Sequence, residues 1–455
     1  MKPNMVCLLN KAKRKDKTRM HMPGAKGRHL GFLKGIFKYD FTEIDGLDNL
    51  YAPEGMIKTS QKELAADIDA DSVMYLVNGS STGVLAMLSL FSGKRVLMAR
   101  DFHMSAANAI SLFKIDPVFV YPKNEKISTV INAERVKAAL QTNSGISAIY
   151  LTYPNYFGFC ANLKEIVSVA HEKHIPVIVD AAHSACFGYS NALPMSPAQA
   201  GADAWVVSTH KTLPAMNQSA YLAIGAYSLV SADRLKASIN QIQTTSPSYP
   251  ILASIDFAKD YMRKKGAKQI EPLVHMIHEA SRKIDGMAGF KVLHECEYHV
   301  PKDPMKWVVD YYESGLSLLT LKAVLKKHGV FPEMMNEQYV LFLVSPTNTK
   351  RDIKKVLSAF KKITPNKNKK SIERVEKTPR MDDKIPLSKI RILVDLNEAT
   401  GMIAAHPVAV YPPGVPIILE GNVLNSDVVD YLKGVKQNGQ SVVGMKGNRL
   451  WVFGK

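Results

Sequence analysis

Cysteine is scarce in this chain. Cys7, Cys160, Cys186 and Cys296 are scattered through 455 residues, and no two form a CxxC pair. That spacing excludes a disulfide framework and offers no zinc site, and it fits a reducing compartment. Long apolar runs are missing as well, so nothing approaches the ~20 residues that cross a bilayer. The N-terminus carries a short apolar patch ahead of its charges, whereas a secretory leader puts charge first. A soluble, cytoplasmic protein is expected, with no membrane role and no metal.

What is present is enough for a large core. Apolar residues make up 46% and charged residues 22%, a globular composition at a length that implies two or three domains. The formal net charge is +18, which would suit an anionic partner. The basic residues cluster in KAKRKDKTR (11–19) and in KKITPNKNKKSIERVEKTPR (361–380). Neither cluster is interleaved with aromatic residues. Both read as a solvated arm and a solvated linker, and nucleic acid is not the expected partner.

From about residue 70 short apolar runs alternate with amphipathic ones. VMYLV (73–77), RVLMA (95–99), PVFVYP (117–122), AIYLTYP (148–154), PVIVDAA (176–182) and AWVVST (204–209) read as strands. The segments between them read as helices, including one βα element between the strand ending at Asp180 and Lys211. The pattern predicts an α/β fold with a mostly parallel sheet. The expected organisation is an N-terminal arm (1–70), a large domain (71–300), a small α/β segment (301–363), a charged linker (364–385) and a C-terminal unit (386–455).

In such sheets ligands bind at the carboxyl ends of the strands, and reactive residues accumulate there. NGSST, DFHMS, TYPNYFG, DAAHS and STHKT each follow a strand. Lys211 ends one apolar run. Partial desolvation lowers a lysine's pKa and makes it a nucleophile for a carbonyl, although a surface lysine at a strand end looks the same. Asp180 ends another run, and is either a cap or the carboxylate that a pyridoxal ring nitrogen needs. NGSSTG (78–83) is a strand–turn–helix junction, either a plain N-cap or a phosphate cradle. It matches no dinucleotide or Walker fingerprint. His103 can stack on a flat ring, and His183 can sit beside a substrate carboxylate.

These pieces, in this order, resemble fold-type I pyridoxal-phosphate enzymes and, more narrowly, the Orn/Lys/Arg decarboxylase family in its short form. STHKTLPAMNQSA (208–220) resembles the family's lysine signature. HMPGAKG (21–27), FTEIDGLDNLYAPEG (41–55), ARDFHMS, VDAAHSACFG, TTSPSYPILASID (244–256) and LNEATGMIAAHPVAVYPPGVPIILEGN resemble further family segments. The chain departs from them at Ala25, Met104, Ala181, Ser184, Pro214 and Asn217. The resemblance implies pyridoxal 5'-phosphate as cofactor, joined to Lys211, paired with Asp180 and stacked by His103. Ser81, Thr82, Ser208 and His210 would surround its phosphate. Thr245 and Ser246 would reach the site of a second subunit, implying a homodimer or larger homo-oligomer with a shared active site. His183 or Lys211 would handle the proton in decarboxylation of arginine, lysine or ornithine.

A cationic substrate and a +18 chain are compatible, because salt screens exposed charge beyond about 8 Å and a local acidic pocket suffices. Glu43, Asp45, Asp48 and Glu398 are candidates for that pocket, and equally for caps and surface ion pairs. Two alternatives stay open: another fold-type I reaction, such as transamination or desulfination, and a non-catalytic basic protein on the same fold.

Overall fold

The structure, a computed structural model, describes residues 5–15, 19, 22–23, 25–26, 28, 35–44, 46–122, 130–295, 300–365, 390–411 and 414–454. Most of the expected linker, Asp45 and much of the HMPGAKG motif lie outside the described residues. Among the described residues no helix is long and apolar enough to cross a membrane.

The centre is a seven-stranded sheet built from β1 (Ser72–Leu76), β2 (Arg95–Ala99), β3 (Asp116–Val120), β4 (Ile146–Thr152), β5 (Val177–Asp180), β6 (Ala204–Val207) and β7 (Ala220–Ile224). Its order is β1-β7-β6-β5-β4-β2-β3. The pairs from β6 to β3 are parallel, while β7 runs antiparallel between β6 and β1. β5 and β6 are buried along their whole length, as sheets covered on both faces require. The mostly parallel α/β fold read from the sequence is therefore present. The antiparallel β7 was not anticipated. The helix expected between Asp180 and Lys211 is absent as well, since residues 181–203 are turns leading straight into β6.

Helices α1 (Met5–Lys15), α2 (Met56–Asp67), α3 (Ser80–Ser89), α4 (Met104–Leu112), α5 (Ala133–Thr142), α6 (Leu163–His171), the single turn α7 (Thr209–Thr212), α8 (Ala232–Ile242) and α9 (Tyr249–Tyr261) flank this sheet. Gly83 explains how α3 lies so close to it. A Cβ there would meet Val206 Cγ2 at 2.5 Å, so any larger residue would lift the helix off β6 and move its N-terminus. α10 (Ala267–Asp285) leads to a smaller antiparallel sheet of β8 (Lys291–Val292), β9 (Lys306–Asp310), β10 (Met334–Met335) and β11 (Tyr339–Leu343), covered by α11 (Leu318–Lys327) and α12 (Lys350–Phe360).

The C-terminal unit holds β12 (Arg391–Asp395), β13 (Val408–Tyr411), β14 (Pro416–Ile418), α13 (Ser426–Gln437), β15 (Ser441–Val443), β16 (Met445–Lys446) and β17 (Arg449–Phe453) in two three-stranded sheets around its own core. It docks beside β2. Arg100 donates to the carbonyls of Pro416 (2.6 Å) and Ile417 (3.2 Å), and the Met104 N–H donates to Gly414 O at 3.2 Å. Gly414, the last residue of the stretch that resembles the family's YPPG, thus lies against the start of the helix that follows His103.

Candidate active site

Asp180 and Lys211 come together because β5 and β6 are neighbours, with Asp180 in register with Val206. Asp180 is buried and anchored by the Ala182 N–H (3.1 Å), with the Tyr150 hydroxyl at 3.4 Å. One turn past β6, Lys211 Nζ lies 3.2 Å from His183 Nε2. Burial lowers the amine's pKa, and the charges of Asp180 and Glu333 oppose that only in part. A lowered pKa is the direction that a carbonyl-attacking lysine needs.

His183 sits on the turn after β5. Burial drives its pKa well down, and the positive charges of Lys306, Lys211, His103 and His210 push the same way. Its Nδ1 is buried without a hydrogen-bond partner among the described residues. The ring is therefore neutral and able to exchange a proton with the neighbouring amine.

His103 caps α4. Its Nδ1 accepts the Ser105 N–H at 3.2 Å and lies 3.0 Å from Ser105 Oγ. Burial lowers its pKa, Asp180 raises it and Lys211 lowers it, so it faces the same pair. His210 Nδ1 lies 2.8 Å from Ser219 O, and burial lowers its pKa too.

The hydroxyls near α3 divide unevenly. Ser208, fully buried, donates to Ser80 Oγ at 2.8 Å. Thr82 is buried with its Oγ1 3.5 Å from Asn78 O, whereas Ser81 faces solvent. Ser80 was missed from sequence. Three consecutive hydroxyl residues open the helix, and only its rotation shows which one meets Ser208.

Thr245 and Ser246 are exposed on the loop between α8 and α9, and no described contact brings them to the Lys211 cluster. Nor does any described contact bring Asp48, Glu43 or Glu398 there. Asp48 accepts the backbone N–H groups of Asn49, Glu54, Ile57 and Lys58 and so organises the start of α2. Glu43 accepts the Thr42 hydroxyl at 2.5 Å. Glu398 is exposed on a short turn of the C-terminal unit. Besides Asp180, the carboxylate whose charge acts on Lys211 is Glu333, just before β10 of the small sheet. A second unexpected carboxyl is Asp101, which burial pushes up to about 7, with the Asp180 charge adding to the rise.

The residues present fit a pyridoxal-type cofactor. An amine whose pKa burial lowers, an imidazole 3.2 Å from it and a buried carboxylate at the tip of the neighbouring strand lie at the carboxyl edge of the sheet. The N-terminus of the ten-residue α3, with the Ser80–Ser208 hydroxyl pair, supplies donors for a phosphate. The Thr209 hydroxyl, two residues before Lys211, is buried without a partner among the described residues. Such an orphan is costly unless a ligand satisfies it.

Fold and site thus fit a class of α/β enzymes that use an amine at the carboxyl edge of the sheet. Comparisons narrow it further. Residues 23–309 match the model of the Orn/Lys/Arg decarboxylase major domain, and residues 370–448 match that of its C-terminal domain. The chain belongs to the Orn/Lys/Arg decarboxylase family. YaaO of Bacillus subtilis (strain 168) is 32% identical, covering 99% of this chain and 98% of its own. An arginine decarboxylase of the same organism is 28% identical over 93% of this chain and 91% of its own. The crystal structure of the Francisella novicida lysine decarboxylase LdcF shares the fold with a TM-score of 0.80 at 17% identity, covering 99% of this chain and 80% of that one.

Proposed function

We propose that this chain is a pyridoxal-phosphate decarboxylase that converts arginine, lysine or ornithine to the corresponding amine and carbon dioxide. The observation that carries the reading is the Lys211–His183 contact at 3.2 Å beside buried Asp180, in a chain of this family. Lys211 would hold the cofactor's aldehyde carbon, Asp180 its ring nitrogen and His103 its ring face. Ser80, Thr82, Ser208, His210 and the α3 N-terminus would hold its phosphate, with Ser81 turned outward. When bound, pyridoxal phosphate supplies an electron sink for the pair left behind when the carboxylate departs.

The chain's own residues do the rest. Asp180, anchored by the Ala182 N–H, would pair with the ring nitrogen and favour its protonated form. His183, kept neutral, exchanges a proton with Lys211 Nζ, so that one of the two can return a proton to the substrate's α-carbon. The walls of the site limit water, which favours loss of a charged carboxylate. Glu333 offers a negative charge to a substrate's distal cation. The assembly read from Thr245 and Ser246 is a homodimer in which each subunit lends these hydroxyls to the other's phosphate, and the setting is cytoplasmic.

Purified chain would be incubated with pyridoxal phosphate and arginine, lysine or ornithine separately, and the product identified by mass spectrometry. Agmatine, cadaverine or putrescine is the expected product and names the substrate. With cofactor bound and no amine formed from any of the three, the decarboxylase reading fails.

A further inference from the structure

Lys306 is the first residue of β9 and is wholly buried. Its amine has an unusual pair of partners, the main-chain carbonyls of Asn155 (3.1 Å) and Tyr156 (2.9 Å), in the loop that follows β4. The same amine lies 5.3 Å from the centroid of the Tyr156 ring, within cation–π range. The loop is moulded around the lysine. Asn155 Oδ1 accepts the N–H groups of Phe157 and Phe159, and the Asp303 N–H donates to Gly158 O at 2.8 Å. Gly158 has φ +96°, and a Cβ there would meet Lys306 Cβ at 2.9 Å. From its other end Tyr156 is tethered as well, because its hydroxyl donates to Glu333 Oε1 at 3.1 Å.

The Tyr156 ring stands edge-on to His183, with centroids 5.8 Å apart at 87°. This contact matters because of what His183 lacks. A working imidazole is normally oriented by a hydrogen bond on its second nitrogen, yet here Nδ1 has no partner among the described residues. Orientation must come from packing, and Tyr156 is the aromatic ring against it. Burying a lysine amine is costly, and a methionine would fill similar space without that cost. Lys306 therefore marks a constraint on the loop rather than a filler of the core.

We propose that Tyr156 is a positioning residue that sets the ring of His183, and that Lys306 and Glu333 of the small α/β unit clamp it there. The clamp rests on the decarboxylase reading for its effect on turnover, though not for its effect on His183 itself. It also joins two units of the fold: the small sheet, far along the chain, controls the geometry of a residue on the large one. Charge follows the same path. Burial and then the positive charges of Lys306, Lys211, His103 and His210 keep His183 neutral. Lys306 is itself pushed down to about 7 by burial, with Asp303 opposing.

Two readouts test the clamp. The first is the titration of the His183 ring by NMR in the full, cofactor-free chain with labelled histidine, assigned with His183→Gln. The second is kcat against KM of the holoenzyme. Lys306→Met should raise the midpoint of the His183 titration toward an ordinary histidine and lower kcat about 10–100-fold, as loss of an orienting neighbour does. KM should change less than about threefold, because the binding groups remain. Lys306→Arg, which keeps donors for the two carbonyls, should recover part of the loss, and Glu333→Gln should cost less than Lys306→Met.

Should Lys306→Met fail to fold, Tyr156→Leu removes the ring contact directly and is expected to lower kcat and broaden or shift the His183 signal. A folded Lys306→Met or Tyr156→Leu chain with the wild-type His183 titration and wild-type kcat overturns the proposal. If the wild-type chain forms no amine, the decarboxylase reading falls alone, and the titration in the cofactor-free chain still decides the clamp.

Discussion

Among the enclosed lysines, Lys259 and Lys211 lie in two regions that treat the amine in opposite ways. Lys259 on α9 has a side chain only 1% exposed, yet carboxylates crowd its amine: Asp256 at 2.8 Å and Glu63 at 2.5 Å, with Ser60 Oγ at 3.3 Å. Burial alone would lower its pKa, but hydrogen bonds and charge from Asp256 and Glu63 raise it overall. Lys211 is also largely enclosed, but its nearest polar partner is a neutral imidazole, and its pKa falls. Burial by itself does not make a nucleophile. The company does: carboxylates in contact make a structural cation, and carboxylates held one step back leave an amine free to react.

The Lys259 cluster works as a seam. Asp256 also accepts the Met5 N–H at 2.9 Å and the Ser60 hydroxyl, and Ser60 pairs with Tyr75 at 2.7 Å. One buried network therefore ties α1, α2 and β1 to α9. The Lys211 cluster leaves buried polar atoms such as Thr209 Oγ1 and His183 Nδ1 without partners among the described residues. Stability is placed in the first region and chemical readiness in the second.

The largest expected effect separates the two directly. Lys211→Ala should abolish amine release, by at least about 10³-fold, without lowering the melting temperature. A variant that unfolds instead would make Lys211 structural. Next, Lys259→Met should leave the buried Asp256 without its cation, and cost about 3–5 kcal/mol in urea unfolding. The kcat of the folded fraction should be unchanged, and a fall in kcat would dissolve the contrast.

Asp101 sharpens the comparison through pH. With its pKa raised to about 7, the native state holds a proton that the unfolded state releases above about 4. This group's contribution to stability therefore falls as pH rises from about 4 to 7. Asp101→Asn should stabilise the chain by about 1–3 kcal/mol at pH 8 and hardly at pH 4, as read by unfolding curves at both values. An equal gain at both would show that Asp101 titrates normally. Smallest, Ser60→Ala should cost about 1 kcal/mol by removing one hydroxyl from the seam, with no change in kcat.

Much of the site could be read before any coordinates. Lys211, Asp180, His183 and His103 each follow an apolar run, and a reactive residue after a strand marks the carboxyl edge of a parallel sheet wherever the chain goes next. What escaped was set by neighbours distant in sequence. Whether Ser80 or Ser81 faces Ser208 turns on about 100° of helix rotation, and the closeness of Gly83 to Val206 sets that rotation. Asp48 reads equally as a recognition carboxylate or a cap in sequence, and in the fold its Oδ2 accepts from Ile57 and Lys58 at the start of α2 while its Oδ1 accepts from Asn49 and Glu54. Glu333 and Lys306 reach the site from a sheet whose sequence shows no sign of it.

The sequence by itself determined the alternation of strand and helix, the family and the chemical identity of the central lysine and carboxylate, because apolar periodicity and short motifs are local. Only the tertiary structure decided that β7 runs antiparallel between β6 and β1, which hydroxyls face the site, and that Lys211 meets an imidazole where Lys259 meets carboxylates. Those choices depend on burial and on charges brought within a few ångströms by packing, and neither exists until the chain has folded.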